Sequence, residues 1–320
     1  MFRIASLLAF TLISCSSGGD AGAPHHPDLR LWQVAQGAEG SSDLFKNYRV
    51  DGPVLWNQGW PWKLDLTGVA WDRSNTATAI TPRHVVMASH YIRKQGEPLV
   101  YHDRKGNRHV RRVEKVIHFK ERKFSGDVAI GLLDQPLPAS VRTYPLPAPR
   151  ADGGEALIGA TALITEQKRK LYFHQIGRIS NTTIGFRSDR RNPESRQKKL
   201  IAGDSGHPSF ILSKGELVLI ETHTGGGAGS GPFYGAKAVQ DCLSTIINEL
   251  DPAYRFRTVN VDDITLNDAK LGRKQFVKAP SRPQNPTRPA DTPQQPAQPG
   301  EPRRPRPRVV VPPPRPKTKD

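Results

Sequence analysis

Gly203-Asp-Ser-Gly-His-Pro208 is the run with the clearest chemical potential in this chain. A serine hydroxyl is a poor nucleophile. Acyl transfer through Ser205 therefore requires a general base, an acid to orient that base, and donors for the oxyanion that forms. The glycines at 203 and 206 free the backbone to turn tightly, so that main-chain N–H groups can converge on one point. Those donors would be the N–H groups of Gly203 and Ser205.

The hexapeptide resembles the active-serine motif Gly-Asp-Ser-Gly-Gly-Pro of the chymotrypsin-like (trypsin-like) serine proteases, with His207 in place of the second glycine. Thr78-Ala-Ile-Thr-Pro-Arg-His-Val-Val-Met-Ala-Ser-His90 is similar to that family's small-residue strand, turn and strand ending in the catalytic histidine, which makes His90 the base. His84, its rival, falls at the strand start, where the family often has a bulky packing residue. Ser125-Gly-Asp-Val-Ala-Ile-Gly-Leu-Leu133 is similar to the segment in which the orienting aspartate precedes a small apolar strand, so Asp127 is the acid. Asp103 and Asp134 lack such a strand and read as loop acids. The order His90, Asp127, Ser205 is the chymotrypsin-like one, whereas other serine-hydrolase folds order their triads differently. The resemblance spans Gly68 to Leu250. It implies a serine endopeptidase that hydrolyses polypeptides through an acyl-enzyme, with no cofactor and no metal.

The resemblance also implies a primary pocket walled by Lys199 and by Thr222-His223-Thr224, with no acid at its base, which disfavours basic substrate side chains. Leu219-Ile-Glu-Thr-His-Thr-Gly-Gly226 is similar to the segment of bacterial glutamyl endopeptidases in which a histidine binds an acidic side chain. On that basis His223 favours Glu or Asp at the cleaved bond; otherwise it is a strand histidine with no substrate role. Asp204 poses a question of activation. In zymogen members the aspartate before the serine pairs with a freed N-terminal amine, and no Ile-Val-Gly-Gly-like start is present here. Either a nearby Lys or Arg meets Asp204, or an internal cleavage supplies the amine. The alternative to an enzyme is a catalytically weak or inactive protease-like module that docks polyanions or partner proteins on a bacterial envelope.

The elements that must position these residues are short. Gly68–Trp71, Thr76–Ile80, His84–Ala88, Leu99–Tyr101, Val113–Phe119, Val128–Leu133, Ala156–Ile164, Leu171–Ile179, Pro208–Leu212, Leu217–Thr222 and Pro232–Ala236 are apolar or alternating runs split by Gly, Asp, Asn and Pro. Such spacing predicts an all-β protein, and the resemblance specifies two six-stranded antiparallel β-barrels. Val239, Cys242, Leu243, Ile246, Ile247 and Leu250 then fall on one helical face, predicting a closing amphipathic helix that buries the Cys242 thiol. Trp32 to Leu66, rich in Trp, Gly and Pro without a clear period, reads as an extension wrapped on the domain.

The ends of the chain carry other signals. Met1 to Ser14 pairs Arg3 with an apolar run too short to span a bilayer, the pattern of an export signal. Leu12-Ile-Ser-Cys15 resembles a lipobox, which implies acylation of Cys15, a tether through Pro24, and, with Ser16 next, sorting to the outer membrane facing the periplasm. About half of the 29 prolines lie beyond Ala279, many of them three residues apart, as in a polyproline II spacer. The expected organisation is a signal peptide at 1–14, tether and extension at 15–45, protease domain at 46–255, an ambiguous stretch at 256–278 and a disordered basic tail at 279–320. A formal charge of +17 would attract anionic surfaces, nucleic acid or acidic substrates without distinguishing them; with an export signal present, anionic envelope polymers are the expected partners and nucleic acid is not. The runs Arg104, Lys105, Arg108, Arg111, Arg112 and Lys168, Arg169, Lys170 read as solvated basic surface. The 10 histidines show no metal-ligand spacing.

Overall fold

Short apolar strands broken by Gly, Pro and Asp build two curled, half-barrel sheets in a computed structural model that describes residues 30–188 and 196–264. All of these belong to the first of two units, Met1–Ala279. The export signal, Cys15, the tether and the proline-rich tail lie outside the described residues.

The chain opens with a short helix, α1 (Leu31–Gln36), and a small antiparallel pair, β1 (Phe45–Asn47) and β2 (Leu55–Trp56). The first sheet follows from β3 (Thr78–Ala79), β4 (His84–Ala88), β5 (Pro98–His102), β6 (Arg108–His118) and β7 (Val128–Leu133), hydrogen-bonded in the order β3-β4-β7-β6-β5. β8 (Leu146–Pro147) leads into the second sheet, which is formed by β9 (Thr161–Thr165), β10 (Leu171–Ile179), β11 (Thr183–Arg187), β12 (Pro208–Ser213), β13 (Glu216–Thr222) and β14 (Ser230–Pro232). Its order is β13-β12-β9-β10-β11-β14. Every pairing within the two sheets is antiparallel.

The protein is thus all-β, with one departure from the expected strand count: the first sheet has five strands, not six. Gly68–Trp71, expected as a strand, contributes only the isolated bridge Val69↔Thr78. A side chain at Gly68 would meet the Arg142 carbonyl at 2.0 Å, so only glycine fits there. Ala156–Ile164 divides likewise into a turn of 3-10 helix at Glu155–Leu157 and the later β9.

Helix α2 (Lys237–Leu250) buries Val239, Cys242, Leu243, Ile246 and Ile247, as the periodicity demands, and stops before Pro252, which cannot continue it. The packed domain exceeds 46–255 at both ends. Leu31 and Val34 are buried at one end, Val261 and Ile264 at the other, and β15 (Thr258–Val259) pairs in parallel with β8.

The N-terminal extension is a strap over both sheets. On the second sheet, Leu44 N–H donates to the Arg169 carbonyl (2.9 Å), Leu171 N–H to the Ser42 carbonyl (3.0 Å), and Trp60 packs on Phe173. On the first, Val54 N–H reaches the Gly106 carbonyl (3.0 Å), Trp56 Nε1–H the Asp103 carbonyl (2.7 Å), and Arg104 lies 3.3 Å over the Trp62 ring.

Candidate active site

Strand register brings the first two residues together. In the β4–β7 ladder Ala88 faces Val128, so the chain leaving β4 and the chain entering β7 run side by side just past that pair. Ser89 N–H donates to the Asp127 carbonyl at 3.2 Å, and His90 N–H to Asp127 Oδ1 at 2.9 Å. His90 Nδ1 then lies 2.5 Å from Asp127 Oδ2. The second sheet supplies the third residue from the loop entering β12: Ser205 Oγ is 2.9 Å from His90 Nε2. A base within hydrogen-bond reach of a hydroxyl, held in one tautomer by a carboxylate, is the arrangement that can activate serine.

His84 has no part in this. It is fully buried, bonded through Nδ1 to Thr81 Oγ1 (2.9 Å), packed edge-on against Tyr254, and pushed down by burial to a pKa of about 4. Asp103 folds its own turn, accepting from Asn107 and His109, and Asp134 accepts from Arg112 N–H.

Gly203 has φ +94°, a conformation that favours glycine, and a Cβ there would fall 2.7 Å from the Gln167 amide, which would have to shift. Among the described residues, neither Gly203 N–H nor Ser205 N–H has an acceptor. Two unengaged donors beside the hydroxyl are what an oxyanion site requires. His207 is buried, its ring 5.9 Å from Trp71, and burial, with His223 and nearby cations adding to it, lowers its pKa to about 3.

A cavity of about 450 Å³ opens beside Ser205, lined by Lys199 to Ala202, Asp204 and His223 to Gly227. Lys199, His223 and Thr224 thus stand where a primary pocket was expected. Thr222 does not: it is fully buried and its hydroxyl pairs with Tyr234 (2.7 Å), because strand alternation turns it away from the cavity. His223 is also differently employed. Nε2 faces the Thr165 carbonyl (3.2 Å), which can only accept, and Nδ1 lies against Glu221 (3.0 Å to Oε2), itself bonded by Ser209 Oγ (2.7 Å). No ring N–H remains for a substrate carboxylate.

A second groove, of about 430 Å³, reaches Asp127 from the other side and includes Phe124, Arg178, Thr183 and Thr224. Thr224 lines both cavities. Arg178 and Lys199 have no ion-pair partner among the described residues. Sequence reasoning passed over Arg178. Its signal was slight, a lone charge late in an otherwise apolar run.

The basic runs lie at the surface as expected, none of their residues being buried, and several also bond main-chain carbonyls. Arg104 bonds the Leu64 and Trp62 carbonyls, Arg108 that of Val50, Arg111 that of Pro136, Arg112 that of Gly96, and Arg169 that of Trp71. Among the described residues no cluster of His, Cys, Asp and Glu is arranged to hold a metal, and no helix is long and apolar enough to cross a membrane. No protein-family model matches the chain, and no curated protein matches it.

Proposed function

We propose that this protein is a serine endopeptidase of the chymotrypsin-like fold, with Ser205 as nucleophile, His90 as general base and Asp127 as orienting acid. The observation that carries this reading is the continuous Asp127–His90–Ser205 contact at 2.5 and 2.9 Å, assembled from both sheets. As Ser205 attacks the scissile carbonyl, His90 Nε2 takes the Oγ proton and Asp127 stabilises the imidazolium. The oxyanion lodges against the N–H groups of Gly203 and Ser205, and His90 returns the proton to the leaving amine. Water then repeats the sequence on the acyl-enzyme.

Arg178 and Lys199, each lining a cavity beside the triad, support acidic polypeptides as the preferred substrates. This places any acidic preference on those two cations, since the ring nitrogens of His223 are occupied. We further infer export and lipid anchoring through Cys15, on the N-terminal pattern alone. The deciding experiment is fluorophosphonate labelling of the full chain against Ser205→Ala. Labelling of the native protein alone supports the reading, and equal labelling of both removes it.

A further inference from the structure

Behind the nucleophile lie three charges that the triad does not use. Asp204 is buried (1% exposed) and Glu166 wholly so (0%). The Lys198 ammonium sits between them, paired with Glu166 Oε2 and 3.8 Å from Asp204 Oδ2. Two buried carboxylates without a cation would face both desolvation and mutual repulsion, the penalty of a broken buried pair. Lys198 itself is fixed from behind, because its N–H donates to His174 Nε2 at 3.2 Å. His174 can accept there because its Nδ1–H is committed to the Ala228 carbonyl (2.7 Å).

The two carboxylates organise backbone as well as charge. Asp204 Oδ2 accepts from Ile201 N–H (2.8 Å) and Oδ1 from Gln167 N–H (3.2 Å), while Gln167 Nε2–H donates to the Ala202 carbonyl (3.0 Å). Glu166 Oε1 accepts from Lys170 N–H at 2.9 Å. The loop that carries the Gly203 and Ser205 donors is thereby clamped to the 166–170 turn, with the ammonium of Lys198 at the junction.

We propose that Lys198 is a built-in positioning cation. Shared between Glu166 and Asp204, it holds the 201–205 loop so that the two N–H donors converge as the chain folds, with no proteolytic step required to complete the site. This rests on the protease reading above. Lys198 touches no reacting atom and acts through the loop alone.

The test is the rate of fluorophosphonate labelling of Ser205 in the full chain, with intact mass checked for internal cleavage and thermal midpoints recorded. Uncleaved native protein should label. Lys198→Met and the milder Lys198→Gln should each lower the maximal labelling rate at least tenfold with little change in the half-saturating probe concentration, and Lys198→Arg should stay within about threefold of native. Adding Asp204→Asn to Lys198→Met should cost less than the product of the single effects, because the two residues form one unit. A native protein that does not label overturns the protease reading itself. A native protein that labels while Lys198→Gln labels equally fast, or that labels only after internal cleavage, overturns the role of Lys198 and leaves that reading intact.

Discussion

Asp127 receives two donors from one residue: His90 delivers its main-chain N–H to Oδ1 at 2.9 Å and its ring Nδ1 to Oδ2 at 2.5 Å. The carboxylate therefore fixes both where the imidazole stands and which tautomer it adopts. Asp127→Asn preserves the shape but not the second function, since an amide N–H₂ facing Nδ1 stabilises the wrong tautomer. Labelling and peptidase rates should fall by about 10⁴-fold with the thermal midpoint nearly unchanged. Stopped assays beside a melting curve check both halves of the expectation.

Gly203→Ala tests the loop geometry directly. The variant must hold φ near +94° and find room against the Gln167 side chain at 2.7 Å. We expect a loss of ~1–3 kcal/mol in stability, measured by denaturant unfolding. The labelling rate should drop further than stability alone explains if the donor that moves serves the proposed oxyanion site. A variant as active as the native chain would show that Gly203 N–H takes no part.

Acid should unfold this protein through its buried histidines. Burial lowers His84 and His174 to about 4 and His207 to about 3, below the ordinary value of 6.5. Between those limits the unfolded chain binds more protons than the folded one. Stability is therefore complete above pH 6.5 and is lost as pH falls, at an upper limit of about 3 kcal/mol each for His84 and His174 and about 5 kcal/mol for His207. Melting curves from pH 7 to pH 4 should show the midpoint falling steadily. His207, whose ring nitrogens make no hydrogen bond of ordinary geometry, is the one to remove, and His207→Leu should flatten the slope.

Substrate charge should be read on either side of the triad. Arg178→Glu and Lys199→Glu place carboxylates in the two cavities that Thr224 joins. Each should reduce kcat/KM for acidic peptides by about tenfold, equivalent to about 1.4 kcal/mol, and spare neutral ones. An acidic and a neutral peptide series, run at two salt concentrations, measures this. Equal losses on both series would mean that the cations serve the fold and not the substrate.

His90 and Asp127 themselves are singled out by the resemblance of their segments to a known family, while the strands beside them, Val85–Ala88 before one and Val128–Leu133 after the other, are legible in the sequence from their apolar composition. The α2 face is legible for the same reason, a period that only one structure satisfies. What escapes such reading is contact across long separations. Nothing local says that Lys198 reaches back to Glu166, or that Arg104 and Arg169 spend their charge on carbonyls of the strap and its surroundings. β11 escapes too, with only Ile184 and Phe186 as large apolar residues. The apolar run Gly68–Trp71 reads as a strand but pairs only through the bridge Val69↔Thr78, a matter of partner geometry that composition does not reveal. His223 lines the cavity beside Ser205 and Thr222 does not, and the partners of the two side chains, Glu221 and Tyr234, depend on the register of neighbouring strands.

The strap has a consequence for the order of assembly. Residues 42 to 64 leave the ribosome before either sheet, yet their partners at 102–106 and 169–173 do not exist until both sheets have formed. The first part of the described chain to be synthesised is thus among the last to dock, a contact pattern of high sequence separation that slows folding. Because the strap touches both sheets, each of its contacts spans a long stretch of chain, and the loop-closure entropy of holding the two sheets together is concentrated in this one segment.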